Sequence, residues 1–284
     1  MIRQTSLAAF GALLLAGGGA LAAQAAQDHS QHQGAGHPAW HAALRAAVDA
    51  PSRSAANRLR DQYRHPYETL TFFGVEPDDT VVELIPGGGW YTEILAPYLR
   101  QGGGTLYAAG SERGLNNVRT MMTANPALYG QIREARFPLP ADAGADVPRV
   151  PDGSADVVLT FRNVHNFIMG DNPVAERAFR QAFAMLRPGG TLGIVDHRLP
   201  ESADSARERT SGYLKVSTVR RLAEAAGFRY VGASEVNANP RDTTEHPEGV
   251  WTLPPTLRLG DTDRARYVAI GESDRMTLRF VRPE

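Results

Sequence analysis

The stretch from Thr80 to Leu95, TVVELIPGGGWYTEIL, decides the fold. It opens as a short apolar run rich in β-branched residues, breaks at Pro86 and three successive glycines, Gly87, Gly88 and Gly89, and then continues in a helical pattern. β-Branched side chains suit a buried strand, and glycines let a backbone turn with no Cβ in the way of a ligand. A strand, a glycine turn and a helix in this order open a nucleotide-binding α/β sheet, with backbone N–H groups aimed at a ligand beside a helix N-terminus. The stretch places a pocket; what fills it has to come from the rest of the chain.

Outward from this unit, near-continuous apolar runs alternate with helical ones. Strands are expected at Thr80–Ile85, Thr105–Gly110, Ile132–Leu139, Ala155–Phe161, Thr191–Asp196 and Phe228–Val236. The runs RARYVAIG (264–271) and MTLRFVRP (276–283) supply the last strand or strands. Helices are expected from Trp90 or Tyr91 through Tyr98, with Pro97 distorting the last turn, and over 111–132 with a break at Asn125-Pro126. Two more cover 171–186 and Val216–Ala226, the second stopped by Gly227. Such alternation calls for a mostly parallel sheet covered on both faces. Ahead of it, HAALRAAVDA (41–50) and Ser54–Gln62 read as helices, and Tyr63–Glu68 leads into TLTFFGV.

Composition narrows the class. A hydrophobic share of 42% with 21% charged residues describes a globular chain, and a net charge of -1 argues against a nucleic-acid partner, which usually needs a concentrated basic surface. Met1–Arg3 is a short positive region, residues 7–21 are apolar and small, and Ala-x-Ala sites end at Ala22 and Ala25. Residues 1–25 are therefore expected to be a cleaved secretory signal, placing the protein in the periplasm with no stable membrane insertion afterwards. With no Cys in the chain, disulfides, thiolate metal sites and thiol nucleophiles are excluded together. Residues 26–39 read as a flexible lead-in; it and residue 41 hold His29, His32, His37 and His41, whose spacing matches no closed metal site. The expected organisation is signal 1–25, lead-in 26–39, N-terminal helical extension 40–73 and α/β domain 74–284.

Four stretches together carry a resemblance: the Gly87–Gly89 loop, DGSADVVLTFRNVHNF (152–167), LRPGGTLGIVDH (186–197) and LAEAAGF (222–228). From about Val75 to Val281 the chain resembles the class I S-adenosylmethionine-dependent methyltransferases, and more narrowly an exported group of predicted methyltransferases from Gram-negative bacteria. The resemblance implies a Rossmann-like, mostly parallel seven-stranded sheet whose last strand runs antiparallel in a late hairpin. It also implies S-adenosylmethionine as cofactor and methyl transfer to a small molecule. Carried over by position, Glu83 takes the acidic place of the loop, Gly87 and Gly89 take the second and third glycine places, and Ile85 stands in the first. Where an acid for the ribose hydroxyls is expected after the second strand, the chain reads Ala108-Ala109-Gly110, with Glu112 just beyond; after the third strand Asp142 and Asp146 are the later candidates. Gly88, Trp90, Tyr91 and Asn163 complete the expected cofactor set, the two aromatic rings suiting an adenine or sulfonium face.

The candidates for chemistry lie where two strands end. Arg162, Asn163, His165 and Asn166 follow the strand at 155–161, and Asp196 and His197 follow the next. Ligands bind at such carboxyl ends. His165 is the natural general base, because an imidazole titrates near about 6.5. Arg162 suits a bidentate hold on a carboxylate or phosphate. Arg64, His65 and Tyr67 from the helical extension, with Asn166 and Trp251, are the expected substrate contacts, and Asn237, Asn239, Arg241, Asp242, Thr243, Asp274 and Arg275 form a late polar set. Two other functions share these residues: a non-catalytic ligand-binding protein on a degenerate methyltransferase fold, and a metal-assisted lyase or hydrolase around His165, Asp196 and His197. No metal is assigned, and no oligomeric state follows from the sequence.

Overall fold

The structure, a computed structural model, describes residues 38–170 and 173–284. The expected signal segment, most of the lead-in and His29, His32 and His37 lie outside the described residues. Four helices precede the sheet: α1 (Pro38–Val48), α2 (Ala55–Arg58), α3 (Asp61–Arg64) and α4 (Pro66–Phe73). The sheet region follows as β1 (Thr80–Leu84), α5 (Thr92–Gly102), β2 (Thr105–Gly110), α6 (Asn116–Ala124), α7 (Pro126–Tyr129) and β3 (Arg133–Arg136). After a loop come β4 (Ala155–Phe161), α8 (Val164–Ile168), α9 (Ala175–Met185), β5 (Leu186–His197), α10 (Val216–Ala225), β6 (Arg229–Ser234), α11 (Arg264–Ile270) and β7 (Arg275–Val281).

The seven strands form one sheet in the order β3-β2-β1-β4-β5-β7-β6. The pairs from β3 to β5 are parallel, and β7 enters antiparallel between β5 and β6. Chain order runs away from β1 on one side and returns through β4 on the other, so the β1/β4 boundary is the switch point where parallel sheets open a crevice. Because β7 runs backwards, its first residues lie at the same edge as the last residues of β4 and β5. Arg275 pairs with His197 and Met276 with Asp196.

Both faces are covered. On one, Ala178, Phe179 and Ala182 of α9 and Val219 and Leu222 of α10 bury against Val158, Leu192 and Leu278. On the other, Leu70 and Phe73 of α4, Ile94 and Leu95 of α5 and Val118 of α6 bury against Val81, Leu106 and Leu159. Phe73 approaches β5 so closely that a Cβ at Gly193 would sit 2.7 Å from its ring. Among the described residues no helix is long and apolar enough to cross a membrane.

The expected fold is the observed one, with local corrections. Residues 264–270 form α11 rather than a strand: only Tyr267 is buried, where a half-buried strand would bury alternate residues, and β7 already has a partner on each side. The helix expected over Ser54–Gln62 is two single turns, the first capped by Ser54 Oγ accepting from Asn57 N at 3.2 Å. The helix after the glycine loop runs past Pro97 to Gly102. The third strand stops at Arg136, before Pro138 removes a donor from the ladder.

One contact clamps β1 to α5. Glu83 is 2% exposed, and Thr92 Oγ1 donates to its carboxylate at 2.6 Å. Burial raises the Glu83 carboxyl to about 7, with the Thr92 bond opposing. The unfolded chain loses this proton near 4.5 and the native one near 7, so between those values the folded state binds more protons and stability falls as pH rises. The expected loss across that window is on the order of 3 kcal/mol. In Glu83→Gln this slope disappears, and the variant gains on the wild type from acid to neutral pH in denaturant-midpoint measurements; an unchanged difference between the two would refute the buried-acid assignment.

Candidate functional site

Two loops at the carboxyl edge carry left-handed backbone at residues other than glycine: Ile85 (φ 51°) after β1 and Arg162 (φ 62°) after β4. For a β-branched residue this conformation costs about 1–3 kcal/mol. Hydrogen bonds hold both in place. Ile85 N donates to Ala109 O and Arg162 N to Val195 O, each at 2.7 Å. Asn163, buried, donates from Nδ2 to Leu84 O at 3.0 Å and Ile85 O at 3.4 Å, tying the end of β4 to the end of β1. Ile85 thus adopts the left-handed turn that a glycine would take freely.

Beyond it, Gly87 and Gly88 are exposed, and the space a Cβ would fill at either is open. Gly89 is buried; a Cβ there would meet Met121 Sδ at 2.5 Å. Helix α6 closes over the loop with Asn117 donating to Gly87 O at 3.0 Å. Two cavities open beyond the strand ends of the carboxyl edge. One, of about 390 Å³, lies beyond β2 and β3 and is lined by Gly110, Glu112, Arg119, Glu134 and Asp146 among others. The other, of about 230 Å³, lies beyond β4 and β5 and is lined by Arg162, His165, Asn166, His197, Trp251 and the 254–256 turn.

His165 and Asp196 form a buried pair. His165 Nδ1 lies 2.8 Å from Asp196 Oδ1, and His165 N donates to Oδ2 at 3.1 Å. His197 N adds a third bond, to Oδ1, at 2.8 Å. A carboxylate accepts, so in the neutral imidazole of His165 Nδ1 carries the proton and Nε2 the lone pair. His197 lies behind, its ring centroid 5.2 Å from that of His165 and its Nδ1 bonded to Ser273 Oγ. Burial pushes the His197 imidazole well below the usual range, and His165 and then Arg162, Arg275 and Arg64 push it further, so it stays neutral.

The cationic groups here share one carboxylate. Glu272, 3% exposed, accepts from Arg60 Nε at 2.7 Å and from Arg64 Nε and Arg275 Nη1, each at 3.1 Å. Burial would raise this acid, but Arg64, Arg275 and Arg60 overcome it and hold it at about 2. Burial brings Arg64 down to about 9, with Arg162 repelling and Glu272 opposing. Burial likewise brings Arg162 to about 10, and among the described residues its guanidinium makes no hydrogen bond or ion pair.

The structure thus brings Arg162, His165, Asn166, His197 and Trp251 to one cavity, with Asp196 behind them. Other candidates sit elsewhere. Glu83 faces Thr92. Trp90 donates to Asn57 O at 3.0 Å and lies under Arg53 and Arg64, and Tyr91 stacks on Phe161 with ring centroids 3.5 Å apart. Asn163 staples the loops, and Glu112, 75% exposed, pairs with Arg119 at 2.7 Å. Arg64 joins Glu272, His65 is the left-handed residue between α3 and α4, and Tyr67 bonds His41 Nδ1 at 3.1 Å under the Arg45 guanidinium.

His165, Asp196 and His197 offer ligand atoms within 4.8 Å of one another, the spacing of a metal site. However, both Asp196 oxygens already accept backbone or imidazole donors, and the cations around them disfavour a further positive charge. Arg60, Glu272 and Ser273 were not legible as site residues. The signal for Glu272 and Ser273 was the polar run Gly271–Arg275 directly before an apolar strand, which reaches the site only because that strand is antiparallel.

The sequence matches no family model and no curated protein. Among solved structures, the [4+2]-cyclase SpnF is similar at TM-score 0.54 and 15% identity over 83% of this chain and 85% of that one. A geranyl diphosphate methyltransferase in complex with S-adenosylmethionine is similar at TM-score 0.50 and 13% identity, over 84% and 94%. At these identities the likeness concerns the fold: this is the Rossmann-like class I methyltransferase fold, and the two names show that it carries more than one chemistry.

The Asp196 contact sets the His165 tautomer. In long-range ¹H–¹⁵N spectra the wild type is expected to show His165 protonated at Nδ1, and Asp196→Asn, which can turn a donor toward that nitrogen, is expected to move the proton to Nε2. An unchanged pattern would remove the orienting role of Asp196.

Proposed function

We propose that the chain transfers a methyl group from S-adenosylmethionine to a small molecule, with His165 as general base, in the periplasm. The observation that carries this reading is the buried Asp196–His165 pair beside the cavity beyond β4 and β5, on the fold's ligand-binding edge. Export rests on residues 1–25 and predicts a mature N-terminus after Ala22 or Ala25.

The residues fit the cofactor at two points and depart from it at one. The open faces of Gly87 and Gly88 leave room for a ligand against backbone, and the neighbouring 390 Å³ cavity would take the nucleoside half against Gly110 and Asp146. The departure is at the end of β2, where Ala108, Ala109 and Gly110 offer no carboxylate and Glu112 is held by Arg119. Losing such charge-assisted bonds weakens binding by about tenfold or more. When bound, the cofactor supplies an electrophilic methyl group.

The protein's own part is orientation and proton removal. His165 Nε2 accepts the proton of the acceptor's nucleophile, and Asp196 stabilises the imidazolium that results. His197, neutral, adds no competing charge. Trp251, edge-on to His165 at 6.3 Å, walls the cavity and limits water around the base.

Calorimetric titration tests the reading: heat with S-adenosylmethionine or its demethylated product is expected, and neither heat nor a thermal shift would sink it. Methyl transfer in His165→Ala should fall by about 10²–10⁴-fold while cofactor affinity is unchanged. The second reading, a non-catalytic ligand-binding protein on this fold, is favoured by the missing acid at β2. It predicts ligand binding in the Arg162 cavity with no methyl transfer to any acceptor.

A further inference from the structure

The carboxyl edge holds more positive than negative charge. Four guanidinium groups, from Arg60, Arg64, Arg162 and Arg275, face Glu272 and, beyond it, Asp196. Three are bonded to Glu272, both of whose oxygens are taken. Asp196 is filled by His165 and His197. Among the described residues no acid bonds Arg162, and it lines a cavity. A half-buried guanidinium that is bonded to no carboxylate favours an anionic ligand in its place. Its backbone, held left-handed by Val195 O, fixes the side chain at this place.

The rest of the cavity states the shape of the missing partner. Trp251 and Pro254 give flat apolar walls, Asn166 and Thr256 give neutral polar groups, and His165 stands three residues from Arg162. A volume of about 230 Å³ lies below the roughly 300–1,000 Å³ of drug-sized ligand pockets, which suits a small molecule. A guanidinium presents two parallel N–H groups to a planar carboxylate.

We propose that this cavity is a subsite for a small planar carboxylic acid, whose carboxylate Arg162 holds beside the His165 base. The assignment deepens the proposed function by naming the acceptor class and rests on that reading for the acceptor's role. The binding claim stands apart from it. In the methyl-transfer reading, the acid's own hydroxyl or amine loses its proton to His165 Nε2, the methyl carbon bonds to that heteroatom as the carbon–sulfur bond breaks, and the demethylated cofactor leaves neutral at sulfur.

The test titrates the purified protein, without cofactor, with 4-hydroxybenzoate and separately with inorganic phosphate, in the wild type, Arg162→Gln, Arg162→Lys and Arg162→Gly. The glycine variant suits the positive φ, so it removes the guanidinium without straining the fold; thermal melts check each variant. Expected is binding of 4-hydroxybenzoate by the wild type, weakened at least about tenfold in Arg162→Gln and Arg162→Gly and less in Arg162→Lys. No binding by the wild type, or equal binding in Arg162→Gly, overturns the subsite, and Arg162-dependent phosphate binding without carboxylate binding overturns the carboxylate assignment. A parallel titration with S-adenosylhomocysteine separates the two proposals. Weakening of that ligand alone in Arg162→Gly assigns Arg162 to the cofactor and overturns the subsite. Absent cofactor binding with intact acid binding removes methyl transfer and leaves the subsite in place.

Discussion

Glu272 holds the carboxyl edge together. Its two oxygens receive Arg60 and Arg64 from the helical extension and Arg275 from the start of β7. A segment about two hundred residues upstream is thereby fixed to the sheet at the level of the site. Buried ion pairs add little net stability when formed, but removing one partner costs about 3–5 kcal/mol because the others lose their counter-ion. With three cations converging on one carboxylate, the arrangement is all or none. The oxygens of Glu272 are taken by these three cations, and Arg162 faces the cavity.

The edge is built on backbone strain as well as charge. Ile85 and Arg162 take a conformation that side chains normally avoid, and in each case the neighbouring strand supplies the acceptor that holds it. Asn163 then links the two turns across the switch point. A glycine at position 85 would remove the cost and also the restriction. With Ile85 the turn is committed to one geometry, and its side chain packs against the core face that carries Val164 and Phe167. The loop keeps its open face only at Gly87 and Gly88, one step further along.

Much of this was legible in sequence. The strand and helix alternation, the glycine loop and the placing of Arg162, His165, Asp196 and His197 at strand ends all follow from local pattern, because parallel strands put successive carboxyl ends on one edge. What was not legible depended on direction and partnership. Residues 264–270 carry apolar positions that suit a strand, and only the pairing of β7 on both sides excludes them from the sheet. Trp90 and Tyr91 follow the glycines as a ligand-covering pair would, yet they pack on Asn57 and Phe161. Aromatic type cannot separate these outcomes. Glu272 and Ser273 were missed for the opposite reason: nothing local distinguishes them from a hairpin turn.

The two imidazoles show how partners divide a role between like residues. Their centroids are 5.2 Å apart, close enough that two charges would repel strongly in a buried setting. His165 has a carboxylate on Nδ1; His197 has only a hydroxyl. A proton added to His165 would therefore have its counter-ion beside it, and burial keeps His197 neutral. The same carboxylate binds the backbone of both residues, so the His165 ring cannot rotate away without breaking the turn after β4. Orientation, tautomer and charge at His165 are all set by one group, Asp196, at the end of one strand.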